Sequence, residues 1–195
     1  LATVIAKAKA ANMPNDNIKR TIDKALGAGN TDNFEKVVYE GYGPSGVAVI
    51  VEALTDNRNR TAPEVRHLFD KYGGNMGASG CVSWSFDRNG VIVIDNEDGD
   101  LDEEKVMEDA LDCGAADFGA DGGIFEITTE PDDFNAVTAA LEAKGYVFAE
   151  AAIEMVPQNY IKLTSEDDIK NMTKMIDLLE DNDDVQNVWN NWEQE

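Results

Sequence analysis

A chain of 195 residues, 43% of them hydrophobic, can bury a core and lacks the composition of a disordered segment. No apolar run approaches the ~20 residues that span a bilayer, and no charged leader precedes an apolar block; Cys81 and Cys113 form neither a disulfide framework nor a zinc-ligand spacing, so the cytoplasm is the expected compartment. The formal charge of −23, spread evenly, would exclude nucleic acid, because phosphate repels carboxylate.

The charge is not spread evenly. Residues 1–88 carry 11 Lys and Arg against 10 Asp and Glu, whereas residues 89–195 carry 5 against 29. Within the first 29 residues, Lys7, Lys9, Lys19, Arg20 and Lys24 outweigh Asp16 and Asp23. Such asymmetry fits an oriented binder of polyanions, and it fits equally an acidic surface that keeps the protein soluble.

Residues 1–11 are Ala-rich and helical in character, Pro14 suits the first turn of a second helix, and Ile18, Ile22, Ala25 and Leu26 keep helical spacing to Gly27. Because Leu1 falls inside the first apparent helix, the sequence reads as a fragment of a longer one, with 1–29 the remnant of a helical domain. Strands are expected from Phe34 to Tyr39 and from Val47 to Leu54 around a glycine-rich turn. Thr61 and Glu64 form a capping-box pattern around Pro63, and Val65, Leu68, Phe69 and Tyr72 give the next helix one apolar face. Gly73 and Gly74 stop it, and Cys81 to Phe86 alternates as a strand, so 47–86 reads β-α-β.

The middle of the chain supplies a strand at Val91 to Ile94, a helix with Val106, Met107, Ala110 and Leu111, and a short strand near Phe118. Another strand at Ile124 to Thr128, a helix with Phe134, Val137 and Leu141, and a strand at Val147 to Met155 complete β-α-β-β-α-β, the ferredoxin-like order. The tail gives a strand at Tyr160 to Leu163, a helix capped by Thr164 or Ser165 with Ile169, Met172, Ile176 and Leu179 on one face, and a strand at Val185 to Trp189. Neither outer β-α-β half is a complete sheet. They are therefore expected to pair, giving an α+β protein of two ferredoxin-like α/β domains, one inserted in the other: 30–88 plus 157–195 as the discontinuous domain and 89–156 as the insert.

Gly41, Gly43 and Gly46 satisfy G-x-G-x-x-G, but a strand follows where a pyrophosphate site needs a helix, so the string reads as a hairpin turn. Asp117-Phe118-Gly119 lacks the other parts of a kinase site. Placing Gly99 at position 6 of a calcium loop puts Ile94 where the first carboxylate belongs. His67 is the single histidine, on a helix between Arg66 and Leu68, and reads as structural or as a contact residue. No coherent nucleophile, base or metal set emerges, so no enzyme, cofactor or metal is expected. Residues 55–61 gather Arg58 and Arg60 before a helix start, which suits phosphate; it suits equally a capping loop whose arginines pair with Glu64, Asp70 or Asp56.

Several strings carry a resemblance: Lys7-Ala8-Lys9-Ala10-Ala11-Asn12-Met13-Pro14, Asp16-Asn17-Ile18, Tyr39-Glu40-Gly41-Tyr42-Gly43-Pro44, the long run Gly46 to Thr61, Glu64-Val65-Arg66-His67 and Gly73-Gly74-Asn75. Over its whole length the sequence resembles the YebC/PmpR family, which includes the mitochondrial translational activator of cytochrome c oxidase. The resemblance implies a helical N-terminal domain, two α/β domains and a non-enzymatic role in gene expression. It implies either a DNA-binding transcriptional regulator or a ribosome-associated translation factor that binds ribosomal RNA, with the acidic domains meeting basic ribosomal proteins. Lys7, Lys9, Lys19, Arg20, Lys24, Arg58, Arg60 and Arg66 are the expected nucleic-acid contacts. A basic leading segment, expected from the family, would add to them. Nothing in the sequence sets an oligomeric state.

Overall fold

A computed structural model describes residues 34–193 together with Ile5, Met13, Ile18, Lys19 and Ile22; of these five, all but Met13 are helical. The remainder of the expected N-terminal helical domain, with Lys7, Lys9, Arg20 and Lys24, lies outside the described residues. The chain divides into two compact units, one holding Gly90–Ile153 and the other Asn33–Asn89 with Glu154–Glu195.

The outer unit begins with a hairpin, β1 (Glu35–Tyr42) and β2 (Ala48–Thr55), joined by a 3-10 turn at Pro44–Gly46. The glycine string is that hairpin turn, with Ser45 and Gly46 both at positive φ. Helix α1 (Arg58–Lys71) follows, then the two-residue strand β3 (Asn75–Met76). From the far end of the chain come helix α4 (Glu166–Glu180) and strand β8 (Val185–Asn190). The sheet order is β3-β1-β2-β8, antiparallel throughout. The two outer segments thus build one sheet, with the hairpin at its centre.

Alternation along the strands decides the core. Val37 and Tyr39 of β1 and Val49, Val51 and Ala53 of β2 point to the face where α1 lays Val65 and Phe69 and α4 lays Met172, Met175 and Leu179. Phe69 is fully buried, and truncation to Ala would cost about 3–5 kcal/mol. On the opposite face Ala48 and Ile50 pack with Val82 and Phe86.

The inserted unit takes the expected order: β4 (Phe86–Asp95), α2 (Glu103–Asp112), β5 (Asp117–Asp121), β6 (Ile124–Thr129), α3 (Phe134–Ala143) and β7 (Glu150–Pro157). The sheet runs β5-β6-β4-β7, so β4 and β6 are central and the helices cross between edge and centre, as the ferredoxin-like pattern requires. Ile92, Ile94, Phe125 and Ile127 meet Val106 and Ala110 of α2 and Phe134, Val137 and Leu141 of α3. Residues 90–153 hold Lys105 and Lys144 against 18 Asp and Glu. Both lysines go to Asp109, Lys105 at 3.5 Å and Lys144 in a short contact. Tyr146 donates to the same carboxylate at 2.7 Å. The bonds to Lys144 and Tyr146 hold the Asp109 carboxyl down at about 2, while burial and that charge push the Tyr146 phenol up to about 12.

Several local expectations change. The segment 81–85 is a turn ending in a 3-10 helix at Ser83–Ser85, and the strand starts only at Phe86. Tyr160 to Leu163 makes a single bridge, Ile161 to Trp192, in place of a strand. The last strand of the insert begins at Glu150, leaving Val147 exposed. Ser165, not Thr164, caps α4 by accepting from the Asp168 amide. Asn57, not Thr61, caps α1, accepting from the amides of Asn59 and Arg60; Thr61 is buried inside the first turn.

Candidate nucleic-acid interface

At the start of α1 the chain leaves β2 through Thr55, whose hydroxyl accepts from the Asn57 amide. Asp184, just before β8, turns its carboxylate into this corner. Thr61 donates to it at 2.6 Å, Thr55 at 3.1 Å, and Arg60 Nη2 reaches both oxygens at 2.9 and 2.8 Å. The Thr61 hydroxyl, then the Arg60 guanidinium, hold the Asp184 carboxyl below its usual range. Arg60 also pairs with Asp56 at 3.1 Å, one of the partners expected for it. Arg58 pairs with Glu35 at 3.6 Å at the surface, where neither Glu64 nor Asp70 takes part. Arg66 and His67 lie exposed further along α1, and Arg66 has no ion-pair partner among the described residues. Lys19 is exposed. The eight expected contact residues are thus not shown gathered at one place: two belong to the α1 corner, Arg66 lies two turns on, Lys19 is exposed in the N-terminal segment, and four lie outside the described residues.

A helix of 14 residues is ~21 Å long at ~1.5 Å per residue, so the far end of α1 is a separate surface of this unit. There β3 pairs Asn75 with Tyr42, and the loop after β3 folds over the end of the hairpin. Its anchor is Glu40, a buried carboxylate on a central strand. Oε1 accepts from the Gly80 amide at 2.8 Å; Oε2 accepts from the amides of Val82 and Ser83 at 3.0 and 2.9 Å. Burial alone would push the Glu40 carboxyl up, but these three amides outweigh it and hold it below the usual carboxylate range. The Cys81 carbonyl accepts twice, from Tyr42 Oη at 3.1 Å and from Trp84 Nε1 at 2.9 Å. Both rings stay in solvent, Tyr42 at 40% and Trp84 at 70% of full exposure. Burial, and then the Glu40 charge, raise the Cys81 thiol, which argues against a reactive cysteine here.

Glu40, Tyr42 and Trp84 are absent from the contacts expected from sequence. One signal was readable: from Lys71 to Phe86 the chain carries no Asp or Glu, an uncommon gap in so acidic a protein. Among the described residues no group of three or more His, Cys, Asp or Glu could hold a metal ion, and no helix is long and apolar enough to cross a membrane.

The described residues form an α+β protein with two four-stranded antiparallel sheets, with Arg66 and His67 exposed on one outer helix. The chain belongs to the TACO1/YebC family: the family model for the second and third domain matches residues 34–192. It is similar to proteins named probable transcriptional regulatory protein from Acetivibrio thermocellus, 60% identical over 98% of this chain and 79% of that one, and from Caldicellulosiruptor bescii, 58% identical over 100% and 79%. Its fold is that of a conserved hypothetical protein from Aquifex aeolicus, with a TM-score of 0.84 and 44% identity over 99% of this chain and 79% of the other.

Proposed function

We propose that this chain is a nucleic-acid-binding regulator of gene expression in the cytoplasm, of the DNA-binding transcriptional kind that the names of its relatives describe. The observation that carries the reading is the partition of charge. Acid is concentrated in residues 89–195, while residues 1–88 are close to neutral and present Lys19 and Arg66 to solvent. Exposed basic side chains in this stretch are the groups best suited to meet a phosphate backbone. Lys7, Lys9, Lys19, Arg20, Lys24 and Arg66 are its proposed phosphate contacts; Arg58 and Arg60 contribute through the faces their ion pairs leave open. The unpaired cysteines support the reducing compartment.

A second reading, a translation factor on ribosomal RNA, is supported by the inserted unit: its many carboxylates against two lysines suit basic ribosomal proteins beside the RNA. Ultraviolet cross-linking of the protein in its own cells, followed by sequencing of the attached nucleic acid, separates the two. Enrichment of a few promoter sites establishes the transcriptional reading. Enrichment of ribosomal RNA replaces it with the second, and attachment to neither sinks both.

A further inference from the structure

Trp84 is the most exposed aromatic side chain of the described residues, and its position is fixed rather than loose. Its Nε1 and the Tyr42 hydroxyl share one acceptor, the Cys81 carbonyl, so the two rings are tethered by their polar ends at one point. That carbonyl sits in a loop whose amides at Gly80, Val82 and Ser83 are held by Glu40. Gly77 adds a bond from its amide to the Glu40 carbonyl at 2.8 Å, and its side is closed by Cys81 Sγ, 2.7 Å from where a Cβ would stand. A ring so anchored loses little freedom when something stacks on it, which is the condition for a strong contact. Structural packing does not account for the exposure: Val82 and Phe86, on either side of Trp84, already fill the hydrophobic cluster beneath.

The chemistry around the rings selects the occupant. No carboxylate occurs from Lys71 to Phe86 or from Gly41 to Val51, the segments that carry the two rings; a third segment, the start of α4, meets the hairpin turn, where Ser45 donates to Asp168 at 2.6 Å. The acid that directly precedes the second segment, Glu40, is buried with both oxygens occupied. Asn75, Ser79 and Gly80 are exposed beside the rings, offering small polar groups and close backbone. An aromatic pair on segments that carry no acid of their own suits a π-faced ligand attached to a polyanion.

We propose that Trp84, with Tyr42 beside it, is a stacking platform for an unpaired nucleobase, so that this end of the outer unit binds single-stranded nucleic acid in preference to duplex. The proposal rests on the nucleic-acid reading above and adds to it the form of the target. Bases inside a duplex are already stacked and offer no free face, whereas every unpaired base does.

The test uses the chain itself with a fluorescent oligouridylate or oligothymidylate of about 12 nucleotides, within the usual span of such sites, and a duplex of similar length, at several salt concentrations. Trp84→Ala is expected to weaken single-strand binding about ten-fold or more, the scale of one lost base stack, and to leave duplex binding and the melting temperature unchanged. Trp84→Phe should restore most of the affinity. If Trp84→Ala binds the single strand as the parent does, or loses single strand and duplex equally, the platform is wrong while the broader reading stands. If the parent binds neither form at any salt, both fall together.

Discussion

Arg60 donates two hydrogen bonds to the carboxylate of Asp184, 124 residues further along the chain. The bond ties the start of α1 to the approach to β8, so Arg60 holds the two outer segments together whatever else it touches. Arg60→Ala should lower the melting temperature, whereas Arg58→Ala, whose partner Glu35 is an exposed carboxylate at 3.6 Å, should hardly move it. Thr61→Val keeps the shape but removes the closest donor to Asp184, at a cost of about 1–3 kcal/mol. Denaturant melts of the three variants check this; equal stability of Arg60→Ala and the parent would free Arg60 for a purely contact role.

Glu40 predicts a dependence on acid. Its carboxyl lies below its ordinary value of 4.5 in the folded chain, so the stabilisation is fully present above that value and is lost as pH falls through the lower folded value. Glu40→Gln should melt earlier at neutral pH, by about 1–3 kcal/mol, and should show a shallower loss below pH 4.5 than the parent. Melting curves taken between neutral and strongly acidic pH compare the two, and parallel curves would show that the loop is held by something other than this carboxylate.

Asp109 can be watched directly. Carboxyl titration followed by NMR should place it at about 2, and either Lys144→Met or Tyr146→Phe should move it back toward 3.8. Because the folded value is depressed, its stabilising contribution is present above 3.8 and disappears as pH drops toward about 2. A titration in the ordinary range in the parent would mean that this cluster does not form in solution.

Gly41 answers to space. A Cβ there would stand 2.5 Å from the Asn75 carbonyl oxygen and 2.9 Å from Met76 Cα, both backbone, so β3 would have to move. Gly41→Ala should cost about 1–3 kcal/mol and slacken the loop that carries Trp84. Faster hydrogen exchange at Gly77 and Val82 in the variant is the expected sign; unchanged exchange with a full loss of stability would place the strain elsewhere.

The apolar rhythm carried much of the fold. Val65 and Phe69, Met172 and Leu179, and the alternation of Ile92 and Ile94 mark faces that the structure buries, because burial depends on local spacing. What failed depended on distant partners. Thr61 and Glu64 satisfy the pattern of a capping box, yet Thr61 turns inward to Asp184, which no window around residue 61 contains. Residues 81–86 alternate like a strand, but Glu40 takes the amides of Val82 and Ser83 that a ladder would need. For the interface, charge pointed to the basic side chains, whereas the anchored aromatic pair depends on a shared carbonyl that only the folded chain reveals.

The convergence of Lys105 and Lys144 on one aspartate leaves the other carboxylates of residues 90–153 without a lysine or arginine from that stretch to offset them. Such a body behaves as a small polyelectrolyte, compact only as far as its counter-ion cloud permits. Added electrolyte should therefore raise the melting point of this unit while it loosens any nucleic acid held by the proposed basic contacts. A single ionic-strength series would then drive firmness and grip in opposite directions.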